Sequence, residues 1–230
     1  MTCRARWNMG TAHARNVVLR SSRNKPTSHV MTDIPHPTLL FASGNPTKHL
    51  IYRPLFVGIG FDVVDLSQAH GIRADTPVED AMTVTENAAI KAAHYRCDAY
   101  PHVFAHDVGL CFDALDDEPG VQARRWGGKL DENISDQAWM AYLLDRMKDV
   151  PDALRTGRFI VGWALATGDQ VHTLYQESPF QIARAPLRPM TAGSPMTALI
   201  RGGEDVIAQR QAVFNDALTQ WEPLHILSSL

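Results

Sequence analysis

The chain has 230 residues, and its 45% hydrophobic and 20% charged content is typical of a globular protein with a sizeable core. The formal net charge is -3, but residues 1–30 contribute +6 and contain no acid, so the remainder carries -9. An acidic body argues against binding to a nucleic-acid polymer, and no apolar run is long enough to span a membrane. The three cysteines are too few for a disulfide framework and indicate a reducing compartment, so we expect the cytoplasm.

Residues 1–37 show no sustained hydrophobic periodicity. We therefore predict that they are a basic, disordered extension in front of a single folded domain spanning residues 38–230. Their acid-free composition, with several Arg and Ser residues, resembles that of a transit peptide. An upstream start codon, with the folded protein beginning near Met31, is a further explanation. Of these, we favour a disordered extension or such a start codon over a transit peptide.

The first predicted elements are a strand, a turn and a helix. An apolar run from Thr38 is long enough for one buried strand, and the turn Ser43-Gly44-Asn45 follows it. Pro46 suits the first position of a helix, and Asn45 is its predicted N-cap. This arrangement directs backbone N–H groups, the helix dipole and the charge of Lys48 towards one point, where an anion such as phosphate would bind. The alternative is an ordinary capped turn with a solvated lysine.

Further patterns predict strands that alternate with helices. The predicted strands lie at residues 61–66, 103–105 with a possible continuation over 110–115, 158–167, 171–176 and 180–182, and the predicted helices at 83–95, 136–149 and 204–221. Pro54 should kink or shorten the first helix, because it donates no N–H. Pro119-Gly120 is predicted as a turn, and Gly168-Asp169 as a hairpin turn. This order predicts an α/β fold with a mixed sheet and flanking helices.

Two acidic residues are candidates for a site that binds a metal ion and phosphate, and only Asp107 is at the end of a predicted strand, where α/β sheets usually place ligand groups. Asp107 lies at the carboxyl end of a predicted buried strand, and Glu79 lies in the loop before the second long helix. Together with Lys48 and Lys91, these carboxylates could share one cleft and support Mg²⁺-assisted phosphate chemistry. The alternatives are a solvated loop acid for Glu79 and a turn-forming residue for Asp107. Glu86 needs no catalytic role, because it completes a capping box with Thr83.

Several segments carry a family resemblance. The segment Ser43-Gly44-Asn45-Pro46-Thr47-Lys48 resembles [ST]-Gly-Asn-x-x-Lys, and residues 83–92 resemble Thr-Phe-x-Glu-Asn-Ala-x-x-Lys-Ala. Residues 105–110 are similar to Ala-Asp-Asp-Ser-Gly-Leu, and shorter similarities follow in order at 113–115, 119–121, 123–126, 150–151 and 158–159. The chain thus resembles the non-canonical purine NTP pyrophosphatases, the inosine-triphosphatase family, over about residues 38–182 and more loosely to 221.

The resemblance implies hydrolysis of a nucleoside triphosphate to the monophosphate and pyrophosphate, with Mg²⁺ as cofactor. It implies a long twisted mixed sheet in two lobes around a central cleft, in a homodimer. It also implies that Glu79 and Asp107 bind the metal and that Asp107 accepts the proton. The implied substrate-binding residues are Ser43, Gly44, Asn45, Lys48, Lys91, Val108 and Arg210.

The chain departs from the family at the end that recognises the base. His106 and Val108 replace the first Asp and the Ser of Asp-Asp-Ser-Gly. The family's Phe-Gly-[YW]-Asp loop is absent, and Glu204 and Gln209 replace the Lys and His that precede Arg210. We therefore expect altered base specificity. A non-catalytic nucleotide-binding protein on the same fold, or a pyrophosphatase for a modified nucleotide in a specialised pathway, is the alternative.

Overall fold

The computed structural model describes residues 36–131, 133–202, 205–219 and 221. The predictions for residues 1–35 and for Glu204 therefore lie outside the described residues. In chain order the elements are β1 (Thr38–Phe41), α1 (Pro46–Gly58), β2 (Asp62–Asp65), α2 (Val84–Tyr95), β3 (His102–Phe112), β4 (Pro119–Gly120), α3 (Asp136–Arg146), β5 (Thr156–Thr167), β6 (Gln170–Gln181) and α4 (Val206–Thr219). Short 3₁₀ turns occur at Asp113–Leu115, Asp152–Leu154 and Pro195–Ala198.

The described strands form one mixed sheet in the order β2-β1-β3-β5-β6, with β4 also paired to β3. Strand β1 runs parallel to β2 and to β3, whereas β3, β5 and β6 are antiparallel neighbours. This arrangement confirms the predicted α/β fold with a mixed sheet and flanking helices. None of the helices in this part of the chain is long and apolar enough to cross a membrane.

Alternation along the strands gives the sheet two different faces. On one face Phe104 of β3 contacts Phe56 of α1 and Phe214 of α4, which forms an aromatic core. On the other face small buried residues lie under α2, among them Ala105. Helix α2 also approaches β5 closely, because a Cβ on Gly162 would lie only 2.5 Å from the carbonyl oxygen of Val84. The close packing fixes the start of α2, and hence its polar side chains, over the sheet.

Helix α1 continues through Pro54 to Gly58, so this proline does not shorten it, and the alternative, that it kinks the helix, stays a prediction. Proline has no N–H to donate to the carbonyl of Leu50, four residues earlier. The side-chain amide of Gln211, on α4, donates to that carbonyl at 2.9 Å. A side chain of a distant helix therefore donates to the Leu50 carbonyl, which the proline leaves without its usual donor in the helix. The local sequence could not reveal this contact.

The bounds of five other elements differ from the prediction. Residues 171–176 and 180–181 belong to one continuous strand, β6, which tolerates Pro179 because only one of its sides is paired in the described sheet. Ile182 lies outside β6 and forms an isolated bridge with Ile200.

Pro119 and Gly120 pair with β3 as a short strand rather than forming only a turn. Strand β3 runs without a break to Phe112, so the prediction that Asp107 lies at the carboxyl end of a strand is wrong: it lies within β3, paired with Gly162 of β5. Helices α3 and α4 are each shorter than predicted.

Candidate active site

The turn between β1 and α1 has the predicted cap. The Oδ1 atom of Asn45 accepts hydrogen bonds from the N–H groups of Thr47 and Lys48, at 2.9 and 3.4 Å. The Oγ atom of Ser43 accepts from the N–H of Asn45 at 3.2 Å. The N–H of Gly44 has no hydrogen-bond partner among the residues that the structure describes. The turn therefore offers an unpaired backbone donor at the positive end of α1.

Lys91 joins the two predicted acids into one cluster. Its Nζ atom donates to Oε2 of Glu79 at 2.7 Å and to Oδ1 of Asp107 at 3.1 Å. The side chains of Lys91 and Asp107 are 10% and 14% exposed, so both charges lie inside the cleft rather than on the surface. The loop, α2 and β3 are thus linked through one ammonium group, which supports the grouping that the sequence predicted.

Asn87 is a fourth member of this cluster, and the sequence analysis gave it no role. Its Nδ2 atom donates to Oδ2 of Asp107 at 3.3 Å, while its Oδ1 accepts from the N–H of Ala81 at 3.1 Å. Asn87 lies four residues before Lys91 on α2, so the two side chains share a helix face. That spacing was the signal in the sequence that could have found it.

Lys48 projects into the same cleft from α1. Its Nζ atom donates to the backbone oxygen of His106 at 3.0 Å. Burial, together with the nearby charge of Lys91, lowers the pKa of Lys48 to about 8. An anion bound beside Lys48 would therefore stabilise its charged form.

Two adjoining cavities contain all of the predicted site residues. The first, of about 270 Å³, is lined by Ser43, Gly44, Asn45, Lys48, Glu79, Lys91 and Asp107, among others. The second, of about 350 Å³, shares Asn45, Lys48 and Asp107 with the first and adds Val108 and Arg210. The cavities therefore meet at Asn45, Lys48 and Asp107. The residues predicted to bind phosphate line the first cavity, and Arg210, at the predicted base end, lines the second.

The second cavity is mostly apolar, and Arg210 adds a buried cation to the Lys48 that it shares with the first cavity. Trp139, Phe159 and Met196 are among its lining residues. The guanidinium carbon of Arg210 lies 4.4 Å from the centre of the Phe159 ring, and burial lowers the pKa of Arg210. No acid in the described part of the chain forms an ion pair with Arg210, so its N–H groups remain for acceptor atoms of a ligand.

Asp136 connects two walls of the second cavity. Its Oδ1 accepts from Nη1 of Arg124 at 2.6 Å, and its Oδ2 accepts from the N–H of Gly193 at 2.8 Å. The Thr47 hydroxyl donates to the oxygen of Ala192 at 3.4 Å. These contacts fix the segment 191–196, whose residues 193–196 line the second cavity. From sequence, Asp136 is only an acid in the first turn of a helix, so no signal revealed this role.

His106 lies on the opposite face of the sheet from Asp107. Its ring centre is 4.8 Å from that of Tyr52, on the aromatic side. Burial, and then the charges of Lys48 and Lys91, lower the pKa of His106 well below its usual value. Only the backbone oxygen of His106 faces Lys48. The histidine that stands here instead of the family's first Asp therefore leaves the pair of Glu79 and Asp107 in place.

The donor set fits a cation that is bound together with phosphate. No group of three acidic, His or Cys side chains in the described residues could hold a metal by itself. Magnesium in phosphate-transfer sites is held by one or two carboxylates, with phosphate and water oxygens completing its shell. Glu79 and Asp107, both bonded to Lys91, are suitable carboxylates.

The protein is an α/β protein whose cleft gathers two lysines and an unpaired backbone donor beside two carboxylates. The model of the Ham1 family matches residues 39–190, and the chain belongs to this family. This result confirms the resemblance to the purine NTP pyrophosphatases.

Relatives and solved structures agree with this assignment. A protein of Photorhabdus laumondii named dITP/XTP pyrophosphatase is 35% identical over 121 residues, which are 53% of this chain and 58% of that protein's length. A Mycobacterium abscessus structure titled nucleoside-triphosphatase / dITP/XTP pyrophosphatase has a TM-score of 0.56 and 27% identity, covering 81% of this chain and 98% of that one. A HAM1 protein from Coxiella burnetii has a TM-score of 0.61 at 22% identity, covering 80% of this chain and 100% of that one, and shows the same fold.

Proposed function

We propose that this chain hydrolyses a nucleoside triphosphate to the monophosphate and pyrophosphate with Mg²⁺ as cofactor, and that its base specificity is altered. The observation that carries the proposal is the cluster in the first cavity, where Lys91 bonds both Glu79 and Asp107 beside Lys48. The name dITP/XTP pyrophosphatase, given to the Photorhabdus relative, supports the same reaction.

The triphosphate would bind at the start of α1. The free N–H of Gly44, the hydroxyl of Ser43 and the side-chain amide of Asn45 are the donors there. Lys48 and Lys91 add two positive charges next to these donors. Since these groups surround phosphate oxygens rather than a base, they would bind any nucleoside triphosphate with similar strength.

Asp107 would accept the proton from the water that attacks the α-phosphorus. Its two oxygens are held by Asn87 and Lys91, which fixes the direction of the carboxylate. Glu79 and Asp107 would hold Mg²⁺, which would offset negative charge on the phosphate oxygens. Lys91 would keep the two carboxylates together and contribute positive charge on the same side of the phosphate chain.

The second cavity supports weak discrimination between nucleotide bases. Its walls are largely apolar, and Arg210 is a cation with donors but no acceptors. Strong discrimination needs buried polar groups that the wrong base leaves unpaired. We therefore propose that Arg210 contacts an acceptor atom of the base while the segment 191–196 contributes little hydrogen bonding, so that several bases are accepted.

A second candidate is a non-catalytic nucleotide-binding protein. The observation that favours it is the altered base end, where the Phe-Gly-[YW]-Asp loop is absent and Gln209 replaces the His that precedes Arg210. Retention of Asp107, Lys48 and Lys91 in one cleft favours catalysis instead, because simple binding does not require a proton acceptor.

We further propose that the protein is a cytoplasmic homodimer. The test of the homodimer is the mass of the protein in solution, measured by light scattering.

The experiment is pyrophosphate release from a panel of ribo- and deoxynucleoside triphosphates, including the inosine and xanthosine forms, with and without Mg²⁺. We expect pyrophosphate and monophosphate only with the metal, from several bases at comparable rates. Tight nucleotide binding without release of pyrophosphate would establish the non-catalytic alternative. Release of orthophosphate and diphosphate would contradict the proposed bond cleavage.

A further inference from the structure

His49, on α1, contacts the backbone of the turn that precedes its own helix. Its Nε2 atom lies 2.6 Å from the carbonyl oxygen of Ser43. A carbonyl oxygen only accepts hydrogen bonds, so the ring nitrogen must donate. The sequence analysis gave His49 no role, and the function proposed above does not use it.

Neighbouring groups hold the His49 ring in this orientation. Its Nδ1 atom lies 3.0 Å from Oδ1 of Asp65, at ion-pair distance but without the alignment of a hydrogen bond. Arg53 donates to the same carboxylate oxygen at 2.8 Å. The ring of Phe41 packs against His49 with 4.5 Å between the ring centres. Because Asp65 pairs with Phe41 in the parallel register of β1 and β2, all of these contacts lie beside the turn.

The contact with Ser43 determines where the next N–H points. In a planar trans peptide, the C=O and the following N–H point in opposite directions. The Ser43 carbonyl is directed at His49, so the N–H of Gly44 points away from His49. Gly44 lines the first cavity, and a Cβ placed on it would meet nothing within 4 Å. The unpaired N–H therefore belongs to a residue with open space around it.

We propose that His49, held by Asp65, is a positioning residue that fixes the Ser43–Gly44 peptide so that the Gly44 N–H is presented to a phosphate chain. The inference rests on the proposed function in that the ligand is a polyphosphate. Without the bond from His49, the peptide can rotate and the donor loses its fixed direction. One oriented hydrogen bond to a charged ligand corresponds to about a tenfold change in affinity.

The test measures binding of inorganic tripolyphosphate by calorimetry at pH 7 without metal, so that neither the base nor turnover contributes. We expect His49→Leu to weaken binding about tenfold. His49→Gln should stay within about threefold of the native chain, because its side-chain amide can still donate to the Ser43 oxygen. Asp65→Asn should lie between these two variants.

His102→Leu is the matched control, because His102 also hydrogen-bonds, to Thr167, but near the start of β3. It should bind tripolyphosphate as the native chain does. Unchanged binding by His49→Leu would overturn the inference and leave the proposed function standing. Equal losses in His49→Leu and His49→Gln, with lower melting temperatures, would show a merely structural role and overturn it as well. Failure of the native chain to bind tripolyphosphate would contradict both the inference and the proposed function.

Discussion

Binding of a triphosphate should be coupled to protonation of Lys48. Burial beside Lys91 lowers the pKa of Lys48 to about 8 in the free cleft, and a bound polyanion would raise it again. At pH 9 the free lysine is then about one-tenth protonated, so binding should take up about 0.9 of a proton, compared with about 0.1 at pH 7. The direction of the pH dependence follows from this proton uptake. Affinity should fall by up to about tenfold per pH unit as the pH rises above 8, because protonation must then accompany binding.

The measurement is calorimetric titration with an α,β-imido nucleoside triphosphate, whose bridging nitrogen prevents cleavage between the α and β phosphates. Titrations at pH 7 and pH 9, each in two buffers of different ionisation enthalpy, give the number of protons taken up. Lys48→Arg is the matched control, because arginine keeps its charge across this range. It should lose most of the proton uptake at pH 9. Equal uptake by the native chain and Lys48→Arg, or an affinity that is flat from pH 8 to 10, would refute the reasoning.

Three other expectations concern the second cavity and the N-terminal segment. Asp136→Ala should raise KM for nucleoside triphosphates about tenfold by removing two hydrogen bonds between the cavity walls, and should leave tripolyphosphate affinity unchanged. Asp145→Ala, on the same helix, is its control, and an equal loss of tripolyphosphate affinity would show general damage. Inosine triphosphate should be only weakly preferred over adenosine or guanosine triphosphate in kcat/KM, and a preference of about 10⁴-fold would rule this out. A chain that starts at Met31 should melt at the native temperature, whereas a loss of several degrees would show that the preceding residues pack on the domain.

The parts of the site that sequence could predict depend on local signals. Asn45 and Pro46 start a helix through contacts within a few residues, and the structure has that cap. The apolar run before Asp107 also revealed its strand, but not where that strand ends, because β3 continues to Phe112 and Asp107 lies within it rather than at its carboxyl end. Glu79 was a candidate only because it lies in the loop before α2, and the family resemblance added its role as a metal ligand.

The remaining features depend on contacts between distant parts of the chain. The partnership of His49 with Asp65 requires the parallel register of β1 and β2, which no short pattern specifies. Gln211 supports the helix at Pro54 from more than 150 residues away in the chain. Asp136 contacts Gly193 only because α3 and the segment 191–196 meet at the second cavity. In each case the partner lies far away in the chain, so only the tertiary structure brings the two residues together.

The central claim is that Asp107 is the proton acceptor in a cleft that binds the triphosphate independently. The most direct measurement compares Asp107→Asn with the native chain, using pyrophosphate release with Mg²⁺ and metal-free binding of the α,β-imido nucleotide. Asp145→Asn, an exposed acid on α3, is the control. We predict that Asp107→Asn keeps nucleotide affinity within a few-fold and loses at least about 10²-fold in turnover, because general-base catalysis contributes about 10²- to 10⁴-fold. Pyrophosphate release by Asp107→Asn at the native rate would contradict the account.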